Sequence, residues 1–388
     1  MQDSSWPEVR ITRKGADRVR SGHPWIFRSD LKDAGSAQAG DTVRVVDERG
    51  KPLGPAHYSS ASQIALRMLG RAGEGFDIAA RIRAAQKFRE SMVTDSNAYR
   101  LVYAEADFLP GLIIDRYGDS FAVQALDQGM ERATPEIVAA LEEQFSPRAI
   151  VARNDAGVRS LEELPREIRV LAGEVGGPAE IHMNGFRMEA DLLHGQKTGV
   201  FLDQRENYLA AARWARGKAL DCFTSSGGFA LHLGRACESV EGIDSGAAVL
   251  ETARRNAGRN DARNVTFREA DAFEILSGYA AARREFDIVV LDPPAFAKSR
   301  KQVEGAARGY KDINLRALRL LGPGGILVTC SCSHHMSEAM LLEIVAEASL
   351  DAGRTLRVLE RRVQAADHPI LLTVPETLYL KCLILAVC

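Results

Sequence analysis

Residues 219–236 read ALDCFTSSGGFALHLGRA. The segment 219–223 is mostly apolar and predicts a buried strand, and residues 228–236 have the pattern of a helix. Small residues form the turn between them, so backbone N–H groups at the start of the helix can approach a ligand closely. The stretch therefore predicts a strand–turn–helix unit of an α/β domain. Because many sheets use a glycine turn only to reverse the chain, the turn alone does not identify a ligand.

Strand and helix patterns alternate along the rest of the chain. The further predicted strands are SVEGIDS (239–245), VTFREAD (265–271), FDIVVLDPP (286–294) and GGILVTCSC (324–332). Helical patterns fall between the strands, at 246–258, 272–283 and 310–321. Such alternation is typical of a mostly parallel sheet covered by helices. The fold class predicted for this part of the chain is α/β, a Rossmann-like doubly wound sheet.

The part of the chain before residue 191 has different patterns. Residues 1–75 predict short strands and turns, which indicates a small β-rich domain. Residues 76–190 mix helix patterns with strands, and the Asn-Gly pair inside 179–192 is typical of a hairpin turn. We therefore predict three domains: a β-rich domain at 1–75, an α+β middle domain at 76–190 and the α/β domain at 191–388.

The composition is that of an ordinary globular protein. Of 388 residues, 46% are hydrophobic and 26% are charged, and the net charge is −2. No apolar run approaches the roughly 18 residues of a membrane span, and the N-terminal residues have no secretory pattern. The 6 cysteines include no CxxC pair and no zinc-like spacing. We therefore expect a cytoplasmic protein with no membrane partner and no metal.

Two stretches are basic although the whole chain is not. In residues 10–28 only Asp17 opposes the basic side chains, and in residues 297–311 only Glu304 does so. Such clusters can bind the phosphates of nucleic acids, and they are also typical of plain solvated surfaces. The residues selected as RNA-binding candidates are Arg13, Lys14, Arg18, Arg20, Lys298, Arg300 and Lys301.

Three of the predicted strands carry an aspartate at or near their carboxyl end: Asp221, Asp244 and Asp271. Asp244 follows the glycine pair by about 16 residues, where a carboxylate can accept both hydroxyls of a ribose, and Asp271-Ala272-Phe273 suits an adenine. Because no G-x-G-x-x-G motif is present, the series favours S-adenosylmethionine over a dinucleotide, with helix capping as the alternative. The predicted cofactor contacts are Asp221, Phe223, Thr224, Ser226, Gly228, Asp244, Ser245, Asp271, Ala272, Phe273 and Asp292.

The fourth predicted strand ends in Asp292-Pro293-Pro294-Ala295-Phe296. Tandem prolines give the chain a rigid, extended exit from the strand, and ligands bind in the crevice at this edge of such a sheet. We predict that Asp292 faces the reacting base, that Phe296 stacks on a flipped base, and that the run from Lys298 holds phosphates. A plain surface turn is the alternative.

The fifth predicted strand ends in TCSCSHH, residues 329–335. Cytosine C5 is too weak a nucleophile to take a methyl group directly, but a thiolate that adds to C6 makes C5 nucleophilic. Cys332, at the exit from the strand, is the predicted nucleophile, with Asp292 at the edge of the base. Cys330 lies deeper on the same face and is interpreted as a core residue, with the reverse assignment left open. His334 and His335 are interpreted as loop residues that could also remove the C5 proton.

Several longer motifs are shared with a known family. They are RKGADRVRSGHPWIFRSDL (13–31), LPGLIIDRYGD (109–119), ARNDAGVR (152–159), HGQKTGVFLDQREN (194–207), LDPPAFAKSR (291–300), SCS (331–333) and ADHPILLTVPETLYLK (366–381). Through these motifs nearly the whole chain resembles the RlmI/RlmO group of 23S rRNA cytosine-5 methyltransferases.

The resemblance implies a PUA-type RNA-binding β-barrel at the N-terminus and a class I methyltransferase domain at the C-terminus. It implies S-adenosylmethionine as the cofactor and 23S rRNA as the substrate, naked or in a pre-ribosomal particle, and it leaves a homodimer open. It puts the nucleophile on Cys332 and adds three cofactor contacts: Thr198, Phe201 and Arg205. The chain departs from the family pattern in its cofactor turn, which lacks a common tyrosine, and in the additional Cys330.

Two other functions stay open at this point. Methyltransferases that act on a guanine nitrogen share the Asp-Pro-Pro-x-Phe strand end but have no cysteine on the fifth strand. An RNA-binding ribosome assembly factor without catalysis would keep the fold and bind no S-adenosylmethionine. The Ser-Cys-Ser at 331–333 argues against the first function, and the acidic residues at 244, 271 and 292 argue against the second.

Overall fold

The structure is a computed structural model that describes residues 6–296 and 302–388. The chain divides into two compact units. The first comprises Met1–His182, Ala190–Val200 and Asp367–Thr377, and the second comprises Met183–Glu189, Phe201–Ala366 and Leu378–Cys388. The three sequence segments at 1–75, 76–190 and 191–388 remain our proposal for the domain boundaries.

The first sheet of the first unit is built from the N-terminal strands. They are β1 (Glu8–Ile11), β2 (Trp25–Phe27), β3 (Leu31–Asp33), β4 (Thr42–Val46), β5 (Pro52–Tyr58) and β6 (Ile64–Met68). The strand order is β2-β6-β5-β4-β1-β3. Strands β1 and β4 run parallel, and the other neighbouring pairs are antiparallel.

A short helix, α1 (Arg13–Arg20), follows β1 along the chain. Thr12 caps the helix, because its hydroxyl oxygen accepts a hydrogen bond from the N–H of Gly15 at 3.1 Å. The sequence patterns predict only strands and turns in this segment. The helix is missed because a mainly charged stretch of two turns has too few apolar residues to show a helical period.

The second sheet of the first unit is built from residues 98–173. Its strands are β7 (Ala98–Tyr103), β8 (Leu112–Tyr117), β9 (Ser120–Ala125), β10 (Ala149–Asn154) and β11 (Glu167–Gly173), in the order β11-β10-β9-β8-β7. Three helices accompany it: α2 (Ile78–Glu90), α3 (Gln128–Arg132) and α4 (Thr134–Phe145). These helices agree with the helix patterns that the sequence shows among the strands of residues 76–190.

A buried charged network within the first unit joins β6 of the first sheet to segments that connect the strands of both sheets. Arg67 on β6 lies 2.8 Å from Glu162 and 3.5 Å from Asp127. Ser59 donates a hydrogen bond to the other carboxylate oxygen of Glu162 at 2.6 Å. All four side chains are buried, so each depends on the others to replace its lost hydration.

Two further strands, β12 (Ala179–Met183) and β13 (Phe186–Ala190), flank the predicted Asn-Gly turn. Asn184 has a φ of 55° and Gly185 a φ of 73°. Asparagine and glycine tolerate this left-handed conformation better than other residues, which explains why the pair marks the turn in the sequence.

The second unit contains a seven-stranded sheet. Its strands are β14 (Lys218–Cys222), β15 (Ser239–Asp244), β16 (Val265–Glu269), β17 (Phe286–Leu291), β18 (Leu321–Ser331), β19 (Leu356–Arg362) and β20 (Lys381–Val387), in the order β16-β15-β14-β17-β18-β20-β19. Its helices are α5 (Arg205–Ala212), α6 (Gly228–Gly234), α7 (Ala247–Arg259), α8 (Ala272–Ala281), α9 (Val303–Leu318) and α10 (Glu338–Asp351). The strands β14 to β18 are parallel, as the sequence predicts.

The core of the second unit lies along the central strands. Leu220, Val289 and Leu327 are completely buried, one on each of β14, β17 and β18. Strands of a parallel sheet are covered on both faces and consist mainly of apolar residues, which is why the sequence locates them well. The strand order reverses at β14, which pairs with β15 on one side and β17 on the other. Sheets of this kind bind ligands at the carboxyl ends of the strands beside such a reversal.

The buried network of the first unit generates a stability prediction. We expect Arg67→Met to lower the free energy of unfolding by about 3–5 kcal/mol, because it leaves the buried carboxylate of Glu162 without its cation. Urea-induced unfolding of the full chain measures this loss. Arg169→Met is the matched control, since its ion pair with Glu167 is exposed and should contribute less than about 1 kcal/mol. Equal losses in the two variants would contradict the prediction.

Candidate cofactor and catalytic site

The turn between β14 and α6 is organised by the carboxylate of Asp221. Its Oδ2 accepts a hydrogen bond from the Thr224 hydroxyl at 2.5 Å and another from the N–H of Ala230 at 3.0 Å. Phe223 and Ser225 have φ values of 65° and 50°. Side-chain-bearing residues in this left-handed conformation cost free energy and occur most often at functional sites, so the turn is held in a strained, preformed shape.

The electrostatic surroundings of Asp221 are unusual. The side chain is completely buried. Burial raises the pKa of Asp221 to about 7, assisted by the negative charges of Asp292 and Asp244 and opposed by the hydrogen bond from Thr224. Three carboxylates at the ends of β14, β15 and β17 therefore influence one another, as expected for the acidic strand ends of one sheet edge.

Asp244 connects the end of β15 to the same turn. Its Oδ2 accepts the N–H of Ser225 at 3.0 Å, and its Oδ1 accepts the N–H of Gly246 at 2.9 Å. Its side chain is half-buried, and Ser245 beside it is exposed. Each carboxylate oxygen keeps a second lone pair, so Asp244 can still accept hydrogen bonds from a ligand.

The end of β16 differs from the ends of its neighbours. Asp271 is exposed and caps α8 by accepting the N–H of Glu274 at 3.0 Å. These are the contacts of the capping alternative that the sequence leaves open. The next two residues pack inward, with Ala272 buried and Phe273 half-buried.

The remaining predicted residues of the cofactor turn have mixed environments. Gly228 is buried and begins α6, and a side chain there would collide with the ring of Tyr208, at 2.4 Å. Ser226 is half-buried, and its carbonyl accepts a hydrogen bond from Asn256 at 3.0 Å. Glycine at 228 is therefore required by packing as well as by any ligand.

The residues predicted from the QKTGVFLDQR motif belong to both units. Thr198 is buried in the first unit, where its hydroxyl donates to Asp115 at 2.6 Å and contacts the hydroxyl of Tyr117 at 2.7 Å. Phe201 and Arg205 belong to the second unit. Phe201 is half-buried, and Arg205 is buried at the start of α5.

The exit from β17 forms an aromatic cluster. The ring of Phe296 lies 4.7 Å from the ring of Tyr310 on α9 and 6.2 Å from that of Phe273. Asp292 and Phe296 are half-buried at this edge. The structure thus brings Phe296, predicted to stack on the base, close to Phe273, predicted to contact the adenine of the cofactor. The RNA-binding candidates Lys298, Arg300 and Lys301 lie outside the described residues.

The two cysteines of β18 have different environments. Cys330 is completely buried and lies opposite Cys382 of β20. Burial, with the nearby Cys382 thiol, holds the pKa of Cys330 well above its usual value, so this thiol stays protonated. Cys332 follows the last residue of β18 and is half-buried.

Two residues that the sequence analysis did not select hold the chain on either side of Cys332. Tyr310 donates a hydrogen bond to the Ser331 hydroxyl at 2.8 Å. Lys381, the first residue of β20, donates to the carbonyl of Ser333 at 2.7 Å. Neither was selected as a site residue, because both approach the segment around Cys332 only through the folding of distant elements. His334 and His335, beyond them, are exposed.

The basic candidates on α1 fall into two classes. Arg13 and Lys14 are exposed, and the Arg13 side chain is 87% accessible. Arg18 lies 2.7 Å from the buried Asp30, and Arg20 lies 2.6 Å from Asp47. Arg13 and Lys14 are therefore more accessible to an RNA phosphate than Arg18 and Arg20 are.

Among residues 6–296 and 302–388, no helix is long and apolar enough to cross a membrane. Within the same ranges, no group of three or more His, Cys, Asp and Glu side chains could hold a metal ion.

Two protein families match the chain. The PUA-like domain family matches residues 9–71, and the S-adenosylmethionine-dependent methyltransferase family matches residues 161–384. These matches, together with the Rossmann-like sheet, confirm the predicted architecture of a PUA-like N-terminal domain followed by a methyltransferase domain.

Solved structures share the fold. A chain described as a SAM-dependent methyltransferase from Streptococcus mutans superposes with a TM-score of 0.80 and 17% identity, over 98% of this chain and all of that one. A methyltransferase complexed with SAH superposes with a TM-score of 0.83 at the same identity and the same coverage. Identities this low show the fold alone.

Curated relatives are much more similar in sequence. Three of them bear the name ribosomal RNA large subunit methyltransferase I. The protein from Shewanella denitrificans is 42% identical over 97% of this chain and 98% of its own length. The proteins from Tolumonas auensis and Escherichia coli are 42% and 40% identical, over 93% and 96% of this chain and 94% and 97% of their own lengths. The chain therefore belongs to the ribosomal RNA large subunit methyltransferase I family of S-adenosylmethionine-dependent methyltransferases, and S-adenosylmethionine is its cofactor.

Proposed function

We propose that this protein methylates C5 of a cytosine in 23S rRNA, by way of a covalent bond between Cys332 and C6 of the base. The names of the curated relatives support rRNA as the substrate. The observation that carries the cytosine-C5 chemistry is the half-buried Cys332 at the exit from β18, at the ligand-binding edge of the sheet. Naked 23S rRNA and a pre-ribosomal particle both satisfy this proposal.

The candidate site fits S-adenosylmethionine. The ligand carries a positive charge and ribose hydroxyls but no phosphate, and the turn offers the carboxylates of Asp221 and Asp244. The Oδ1 atom of Asp221 is buried and has no hydrogen-bond partner among the described residues. Together with Phe223 and the backbone of the turn, these two residues would hold the cofactor, with Phe201 and Arg205 of the same unit as further contacts.

The protein's own residues account for the activation of the base. The thiolate of Cys332 adds to C6, and the electron pair of the C5–C6 double bond moves so that C5 becomes nucleophilic. Asp292 holds the edge of the ring, and Phe296 supports its face by stacking. S-adenosylmethionine, when bound, supplies the methyl group. A base then removes the C5 proton, and the bond from carbon to sulfur breaks to regenerate the thiolate.

The two cysteines of β18 provide a matched pair of variants. We expect Cys332→Ala to lower the rate of methyl transfer by about a thousandfold or more, because the covalent route is removed. Cys330→Ala should keep the rate within about threefold, because that thiol is buried and protonated. Incorporation of labelled methyl groups into unmodified 23S rRNA and into precursor particles measures both rates, with mapping of 5-methylcytosine as the product assay.

A trapping experiment tests the covalent step separately. RNA that contains 5-fluorocytosine should form a stable adduct with the wild type and with Cys330→Ala, since no C5 proton can be removed, but not with Cys332→Ala. Full methylation by Cys332→Ala, with the product on a guanine nitrogen, would overturn the proposal in favour of the guanine alternative. A wild-type protein that binds S-adenosylmethionine but never modifies rRNA would also contradict it.

Asp244 is the residue at the cofactor turn that is most directly open to a test. We expect Asp244→Asn to weaken binding of S-adenosylmethionine by about tenfold or more, because hydrogen bonds to a charged carboxylate contribute about 1.5–3 kcal/mol. Isothermal titration calorimetry measures the dissociation constant. Asp261→Asn is the control: this carboxylate is exposed, and its φ of 51° is one that asparagine accepts. Unchanged affinity in Asp244→Asn would remove Asp244 from the cofactor site.

A further inference from the structure

Lys381 is a buried lysine beside the proposed nucleophile. It is the first residue of β20, paired in register with Ser331 of β18, and only 5% of its surface is accessible. Its ammonium donates hydrogen bonds to the carbonyl of Ser333 at 2.7 Å and to that of Tyr379 at 2.8 Å. The ammonium therefore lies at the segment that carries Cys332, held from both sides by backbone oxygens.

Within the part of the chain that the structure describes, no carboxylate forms an ion pair with Lys381. A negative charge on Cys332 acts on the ammonium. Burial lowers the pKa of Lys381 to about 8, and the charge of Cys332 opposes this lowering. Burying an ammonium without a carboxylate costs free energy, and a thiolate next to it would recover part of that cost.

Other titratable groups lie around Cys332, and the negative charge of one of them, Asp292, makes a thiolate at Cys332 less favourable. Asp292 and Cys332 both raise the pKa of Tyr310, so the carboxylate and the thiol act on the same small volume. A carboxylate disfavours a thiolate nearby. Two further groups lie near the segment that carries Cys332. The hydroxyl of Tyr379 donates a hydrogen bond to Asp203 at 2.6 Å. The exposed ring of His334 lies 5.7 Å from the ring of Tyr379.

We propose that Lys381 is a positioning residue for Cys332: its ammonium stabilises the thiolate against the charge of Asp292 and fixes the carbonyl of Ser333. The catalytic use of this thiolate rests on the proposed cytosine-C5 function. The stabilisation of the thiolate by Lys381 does not depend on that function. When the thiolate forms, the thiol proton leaves to water and the ammonium keeps its own three protons. The elimination step returns the same thiolate, so Lys381 undergoes no net change.

Alkylation tests the proposal without RNA or cofactor. The rate at which iodoacetamide modifies Cys332 is measured against pH by peptide mass spectrometry of the full-length protein. Lys381→Gln removes the charge but can still donate to a carbonyl. We expect it to raise the apparent pKa of Cys332 by about one unit, so that modification at neutral pH slows about tenfold. Lys381→Arg keeps a cation and should stay within about threefold of the wild type.

Several controls separate a charge effect from a folding defect. The exposed Cys388 serves as an internal reference, because its modification should be the same in every variant. Lys218→Met removes an exposed lysine at the far end of β14 and should leave Cys332 unchanged. Thermal unfolding and the affinity for S-adenosylmethionine report any general damage. If Lys381→Gln does not fold, Lys381→Met replaces it in the same comparison.

The outcomes are distinct. A wild-type pH profile for Cys332 in Lys381→Gln or Lys381→Met would overturn the proposal, whatever happens to stability. An equal loss of reactivity in Lys381→Arg and Lys381→Gln would also overturn it, since only the packing would then matter. If Lys381→Gln shifts the profile but the wild type methylates no cytosine, the proposed function fails and the role of Lys381 stands.

Discussion

The buried carboxylate of Asp221 is the group on which the geometry of the candidate site depends. It closes the turn after β14 through the Thr224 hydroxyl and the N–H of Ala230, and the charges of Asp244 and Asp292 act on it. Parallel strands end at one edge of the sheet, so their terminal side chains must share a small volume. A concentration of like charge and a perturbed pKa in such a place are typical of a functional site.

The opposite half of the site depends on where β20 pairs. Strand β20 runs antiparallel to β18, and its register puts Cys382 against Cys330 and Lys381 against Ser331. One cysteine is thereby enclosed in apolar core while the other emerges beside an ammonium. Two thiols only two residues apart thus acquire different environments, and the environment of a thiol sets whether it ionises.

Much of the fold was predictable because the signals were local. The apolar runs of β14 to β18 and the spacing in α7 are direct consequences of burial on sheet and helix faces. The misses have physical reasons as well. Helix α1 is too short and too charged to show a period. Lys381 is marked in the sequence only as the last residue of a family motif, because its place next to the Cys332 segment depends on the pairing of β20 with β18.

The sequence by itself determined the alternation of strands and helices along the chain, the acidic residues near the strand ends and the pair of cysteines, because each follows from neighbours along the chain. Only the tertiary structure decided which cysteine is accessible and which residues surround it. That decision rests on pairing between β18 and β20, which are separated in the chain by a helix and by β19. Register between such distant strands is fixed by the burial of both faces together, and no local pattern contains that information.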